Sequence, residues 1–100
     1  MIDTYILQDH TPVQEPDLMK WERWFETAER RVAFTEKDGA EVSTVFLGLN
    51  HGFGEGEPLL FETMVFGGPF DGQTERCSTW EQAEQQHKEM VEKVFPTACL

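Results

Sequence analysis

Basic residues are scarce in this chain. Against 19 Asp and Glu it sets only 8 Lys and Arg, a formal net charge of -11 at pH 7. A surface of that sign repels phosphate, which excludes nucleic acid and an anionic membrane as direct partners. Cysteine is scarcer still: the 2 residues, Cys77 and Cys99, form no C-x-x-C pair. Two isolated thiols read as free cysteines in a reducing compartment. Long apolar runs are missing as well. The least charged stretch, residues 42–54, is interrupted by Ser43, Thr44, Asn50 and His51 and falls well short of the roughly 20 apolar residues a membrane helix needs. The opening residues carry neither the basic segment nor the small-residue cleavage site of a secretory leader, so a cytoplasmic location is expected. No repeat, low-complexity tract or linker divides the 100 residues, which predicts one domain over 1–100.

What the chain does hold is core-forming material. Hydrophobic residues make up 39% and aromatic residues 12%, with 8 Phe and 3 Trp, too rich a composition for a disordered acidic chain. Residues 4–7 are β-branched and aromatic and predict a first strand, ended by Gln8-Asp9-His10-Thr11-Pro12. From Asp17, a plausible N-cap, Leu18, Trp21, Trp24, Phe25 and Ala28 fall on one helical stripe. Residues 30–35 alternate, with Val32 and Phe34 expected on one face, and Asp38-Gly39 supplies hairpin-turn chemistry. Residues 41–50 continue as the returning strand, residues 59–66 as a third, and residues 73–77 as a short last one. Ser78-Thr79-Trp80-Glu81 reads as a capping box in front of Trp80, Ala83, His87, Met90, Val91 and Val94 at helical spacing, with Pro96 closing the helix. Glu84 with Lys88 and Glu89 with Lys93 stand in the favourable order for ion pairs four residues apart.

The expected order is therefore β-α-β-β-β-(β)-α, an α+β fold whose antiparallel sheet of four to five strands carries both helices on one face. The central strands complicate that picture. Both faces of residues 42–49 and 59–66 carry apolar side chains, whereas a sheet wet on one side should alternate cleanly. Either the helices cover opposite faces, or an apolar strip stays open for a partner or for a second copy.

Tests for chemistry return little. His10, His51, His87, two cysteines and many acids share no metal-ligand spacing, so no metal and no cofactor is expected. His87 on the apolar stripe reads as a packed, hydrogen-bonded core residue. The stretch Asn50-His51-Gly52-Phe53-Gly54-Glu55-Gly56-Glu57-Pro58 has glycines at alternate positions that let backbone amides approach a ligand, yet Glu55 and Glu57 stand where a phosphate cradle needs a basic residue. His51, Glu55 and Glu57 are its candidate ligand residues. Cys77 at the head of the last helix is the cysteine to test for reactivity.

Four segments, residues 16–21, 43–48, 60–68 and 78–84, together resemble a family of small proteins of unknown function encoded by tailed bacteriophages and prophages. The likeness spans nearly the whole chain. It implies origin in a bacterial cytoplasm during infection or lysogeny. It brings no catalytic residues, and Cys77 stands where an aromatic residue is expected in similar proteins.

The expectation is a non-enzymatic acidic protein that binds a host or phage protein with a basic surface, as an inhibitor of a host defence or nucleic-acid enzyme. Candidate contacts are Glu81, Glu84, Glu89 and Glu92 on an acidic helix face, and Phe46 and Phe61 on an apolar one. Two alternatives are a small-ligand binder or enzyme using the glycine-rich loop, and a virion or assembly component. A homodimer closing the open sheet face is a further expectation.

Overall fold

Residues 3–52 and 56–96 are described in the computed structural model. Their elements run β1 (Tyr5–Gln8), β2 (Thr11–Gln14), α1 (Leu18–Thr27), β3 (Arg31–Lys37), β4 (Ala40–Phe46), β5 (Phe61–Phe66), β6 (Thr74–Cys77) and α2 (Trp80–Val94). The fold is α+β: two helices, a two-stranded sheet β1-β2 and a four-stranded sheet β3-β4-β5-β6, antiparallel throughout.

The strand β2 is an addition to the expected order. After β1 the chain reverses through Asp9 and His10, both in left-handed backbone at φ 49° and 72°, and pairs Gln8 with Thr11 and Leu7 with Pro12. A two-residue turn of this kind usually takes glycine. Without one, each left-handed residue costs roughly 1–2 kcal/mol, although Asp and His are among the side chains that tolerate it best.

α1 begins where Asp17 Oδ1 accepts the amides of Met19 (3.0 Å) and Lys20 (3.2 Å). Its stripe seats Trp21, Trp24 and Phe25 half-buried, while Leu18 at the start is 55% exposed. Trp21 Nε1 donates to the Tyr5 carbonyl at 3.0 Å, tying helix to hairpin. Gly48 at φ 77° makes room for this packing, because a Cβ there would stand 3.0 Å from the Phe25 ring.

Asp38 and Gly39 turn at φ 50° and 81°, as their chemistry requires. Further back along β3 the register shifts: Arg31 opposes Val45 and Ala33 opposes Thr44. The extra residue, Val32, packs against the Phe46 cluster, whereas Phe34 is 41% exposed. Val32 and Phe34 thus do not share a face, because a bulge shifts the alternation by one residue.

α2 closes one side of the larger sheet. Its N-cap is Thr79, one residue later than expected: Gln82 N donates to Thr79 Oγ1 at 3.1 Å and Thr79 N donates to Gln82 Oε1 at 3.2 Å. Both S-T-W-E and T-W-E-Q satisfy the sequence rule, and the backbone selects the second. Ala83, His87 and Met90 face inward. Beneath them Phe46, Leu60 and Phe61 form one buried cluster with Ala83, and Val42 and Val65 form another with Met90. α1 packs chiefly on β1, and its Trp24 meets Phe46 edge-on at 5.8 Å, so that one side chain of α1 joins the cluster that α2 covers.

A polar row separates the clusters. Thr44 Oγ1 lies 2.7 Å from His87 Nδ1 and 2.7 Å from Thr63 Oγ1, and Thr35 Oγ1 lies 2.9 Å from His87 Nε2. Gln86 Nε2 donates to Thr63 Oγ1 at 2.9 Å and to the Glu75 carbonyl at 3.0 Å. His87 is 6% exposed, and both ring nitrogens have hydroxyl partners able to donate or accept, which satisfies a neutral imidazole. Replacing Thr44 by Val keeps the volume and the β-branch but strips partners from His87 and Thr63. Chemical denaturation of Thr44→Val should show a loss of about 1–3 kcal/mol; unchanged stability would contradict the assigned network.

Candidate functional site

The residues singled out by sequence separate into three places. Glu81, Glu84, Glu89 and Glu92 are all exposed along α2. The ion pairs expected beside them are not formed. Lys93 Nζ instead donates to Gln73 Oε1 at 2.6 Å, and Glu89 Oε2 accepts from Gln85 Nε2 at 3.0 Å. Among the described residues the one ion pair, Arg76 with Glu62 at 3.0 Å, lies on the sheet. The α2 carboxylates therefore face solvent without a formed ion pair among the described residues, and on that side of the helix they outnumber the one exposed cation, Lys88.

Phe46 and Phe61 are not a contact surface. Both are 0% exposed, with their rings 5.2 Å apart beneath α2. Burying an aromatic side chain of that size contributes roughly 1.5–3 kcal/mol to folding, and nothing from outside reaches them. The apolar side chains of the open face belong to the opposite parity: Phe34 at 41% and Phe66 at 46% exposure, with Val45 and Met64 half-buried between them. Polar residues interrupt them on that outer face: Ser43 lies between Phe34 and Met64, Glu62 beside Val45 and Glu41 beside Phe66. At one end of it Glu36 and Glu41 are cross-strand neighbours, and the Glu41 carboxyl is held above its ordinary value because its protonated form donates a side-chain hydrogen bond to Glu36.

In the glycine-rich loop Glu55 lies outside the described residues. His51 is half-buried and donates its amide to the Leu59 carbonyl at 3.0 Å. Glu57 is exposed and lines a cleft of ≈ 490 Å³ with Glu75, Arg76, Cys77 and Gln82. His51 does not line that cleft, so the two described members of the ligand set are not gathered in it. The residue that organises the loop was missed by sequence reading: Asn50 Oδ1 accepts the amides of Gly52 (2.8 Å) and Leu59 (3.0 Å), bracing both ends.

Cys77 opens on the same cleft, but its thiol is poorly suited to attack. Burial, reinforced by the Glu75 charge, pushes it up to about 11. The helix-dipole activation expected at the head of α2 is outweighed, since only the thiolate is nucleophilic. Cys99 lies outside the described residues. Among those described, no group of three or more His, Cys, Asp or Glu is placed to hold a metal ion, and no helix is long and apolar enough to cross a membrane.

A second cleft, of ≈ 590 Å³, was not foreseen. Leu7, Asp9 and His10 of the β1-β2 hairpin, Trp24 of α1, Glu29 and Trp80 of α2 line it. His10 stacks flat on Trp80 with ring centroids 3.7 Å apart. Its members are spread over more than seventy positions of the chain, and the hairpin that brings His10 to Trp80 depends on a turn without glycine.

Compared with protein-family models, curated proteins and solved structures, the chain matches none of them.

The thiol reading is open to direct measurement. In a Cys99→Ser background, labelling of Cys77 by iodoacetamide should be slow at pH 8 and accelerate toward pH 11. Rapid labelling at pH 7 would contradict a buried, protonated thiol.

Proposed function

We propose that the protein is a non-enzymatic binding module that docks a protein of basic surface through the outward side of α2. The observation that carries this reading is the row Glu81, Glu84, Glu89 and Glu92, exposed and without ion-pair partners among the described residues. An excess of one charge sign on an exposed face raises the encounter rate with an oppositely charged surface and fixes its orientation more than it raises affinity. The resemblance to phage and prophage proteins points to a host or phage protein as the partner. Within that class, an enzyme of host defence or nucleic-acid metabolism has the basic groove that such a face fits, and occupying the groove would inhibit it. The exposed Phe34 and Phe66 extend the contact area onto the outer sheet face, where a second copy of the chain is the symmetric occupant.

Changing Glu81, Glu84, Glu89 and Glu92 together to Gln removes the charge while touching only one side-chain hydrogen bond, that of Glu89. In capture from a bacterial lysate, the unaltered protein should retain a basic partner at about 50 mM salt and release most of it at about 500 mM, where screening acts within a few ångströms. The quadruple variant should melt at the same temperature and retain none. Equal retention by the variant, or no protein retained at either salt, would overturn the reading. Light scattering on the same samples reads whether a second copy occupies the outer sheet face.

A further inference from the structure

The cleft beside the hairpin tip has three features that favour one kind of guest. Its walls are aromatic: the half-buried indoles of Trp24 and Trp80 line it, and because the His10 ring already covers one face of Trp80, Trp24 is the indole a guest would stack on. Its rim is acidic, since Asp9 and Glu29 line it and are both exposed. It also sits at the C-terminal end of α1, whose cap Ala28 lines it and whose last turn holds no basic residue, so the helix end itself adds partial negative charge, with Arg30 and Arg31 following it in the chain and drawn onto the Phe25 and Phe34 rings. The N-terminus of α2 stands nearby with the opposite sign, but Thr79 already takes a first-turn amide of that helix, that of Gln82.

Aromatic faces, carboxylates and a helix C-terminus all attract a cation. Between the two biological cations, a guanidinium fits better than an ammonium. It is planar and weakly hydrated, stacks on an indole, and keeps its N–H edges free for carboxylates. The molecule itself shows the mode: the Arg30 guanidinium lies 3.9 Å above the Phe25 ring while Nη1 donates to the Phe46 carbonyl at 3.0 Å. Arg31 also lines the cleft, but its guanidinium sits 4.6 Å over Phe34, which draws that charge toward the outer sheet face.

We propose that this cleft seats an arginine side chain presented by the protein partner, an inference that rests on the binding-module reading above. The strained hairpin fits the role. Two left-handed residues that are not glycine, Asp9 and His10, hold a carboxylate at the rim and an imidazole against Trp80, and backbone strain concentrates where ligands are clamped. Trp80 is also the first residue of α2, so the acidic row starts at the next position, Glu81. A basic segment then sets one arginine in the cleft and its neighbouring charges along the helix.

Titration with N-acetyl-arginine amide, followed by NMR of the three indole N–H groups, tests the proposal. The Trp24 and Trp80 signals should shift saturably, and Trp21, whose N–H is held by the Tyr5 carbonyl, should not. N-acetyl-lysine amide should give a weaker response. The double variant Asp9→Asn, Glu29→Gln should raise the arginine dissociation constant about fivefold, equivalent to roughly 1 kcal/mol. It should also fold normally, because Asn tolerates left-handed backbone and Gln keeps the oxygen that accepts the Arg31 amide. No saturable shift, an equal lysine response or an unchanged constant in the variant would overturn the proposal. In lysate capture the two claims separate. Loss of partner by the α2 variant with full retention by the cleft variant removes the cleft proposal and leaves the binding module standing. Arginine binding in the cleft with no partner captured does the reverse.

Discussion

One buried polar contact sets the register of the whole larger layer. α2 carries its inward face as Ala83, His87 and Met90, and the sheet answers with Phe46, Thr44 and Val42 on β4 and Phe61, Thr63 and Val65 on β5. Apolar surfaces slide against one another at little cost. A histidine that must meet hydroxyls at both ring nitrogens cannot slide, because a displaced ring would leave buried donors and acceptors without partners. No buried side-chain nitrogen or oxygen among the described residues is left without a partner. The row Thr35, His87, Thr44, Thr63 and Gln86 therefore works as a peg between two apolar clusters, and it fixes which face of the sheet is covered.

The proposed surfaces follow from that choice. With α2 pegged to the inner face, Phe34, Val45, Met64 and Phe66 are left on the outer one, and the acids of α2 are turned outward. The same peg fixes Trp80 at the head of α2, where His10 stacks on it and the hairpin closes the cleft with Trp24. Charge is thus arranged by packing. The helix shows solvent the acids its core stripe cannot hold, and the central strands keep a nearly uncharged interior.

Much of the fold was legible from local chemistry. Asp17 announced α1, Asp38-Gly39 announced the β3-β4 turn, and the spacing of Trp80, Ala83, His87 and Met90 announced both α2 and its buried histidine. The misses share one cause: the deciding contact lay far away in sequence. Asp9-His10 lacks the glycine that marks a two-residue turn, and pairing of β1 with β2 holds it in place regardless. The bulge that separates Val32 from Phe34 comes from pairing with β4 rather than from β3 itself. Phe46 and Phe61 looked like candidate contacts because both faces of their strands are apolar, and only the docking of α2 selects the buried one. The acidic row was legible because exposure of a helix face follows from its periodicity, whereas the arginine cleft joins the hairpin, α1 and α2, and no local pattern foretells it.

The central claim is that His87 is a buried, neutral peg, and its protonation reads this most directly. Burial holds His87 below the ordinary histidine value of 6.5. The unfolded chain therefore takes up that proton more readily than the folded one, and stability is complete above about pH 6.5 and declines as pH falls below it. NMR titration of the His87 ring should show a midpoint clearly under 6.5. A midpoint at or above 6.5 would mean that the ring is solvated or paired with a negative charge, and it would contradict the account.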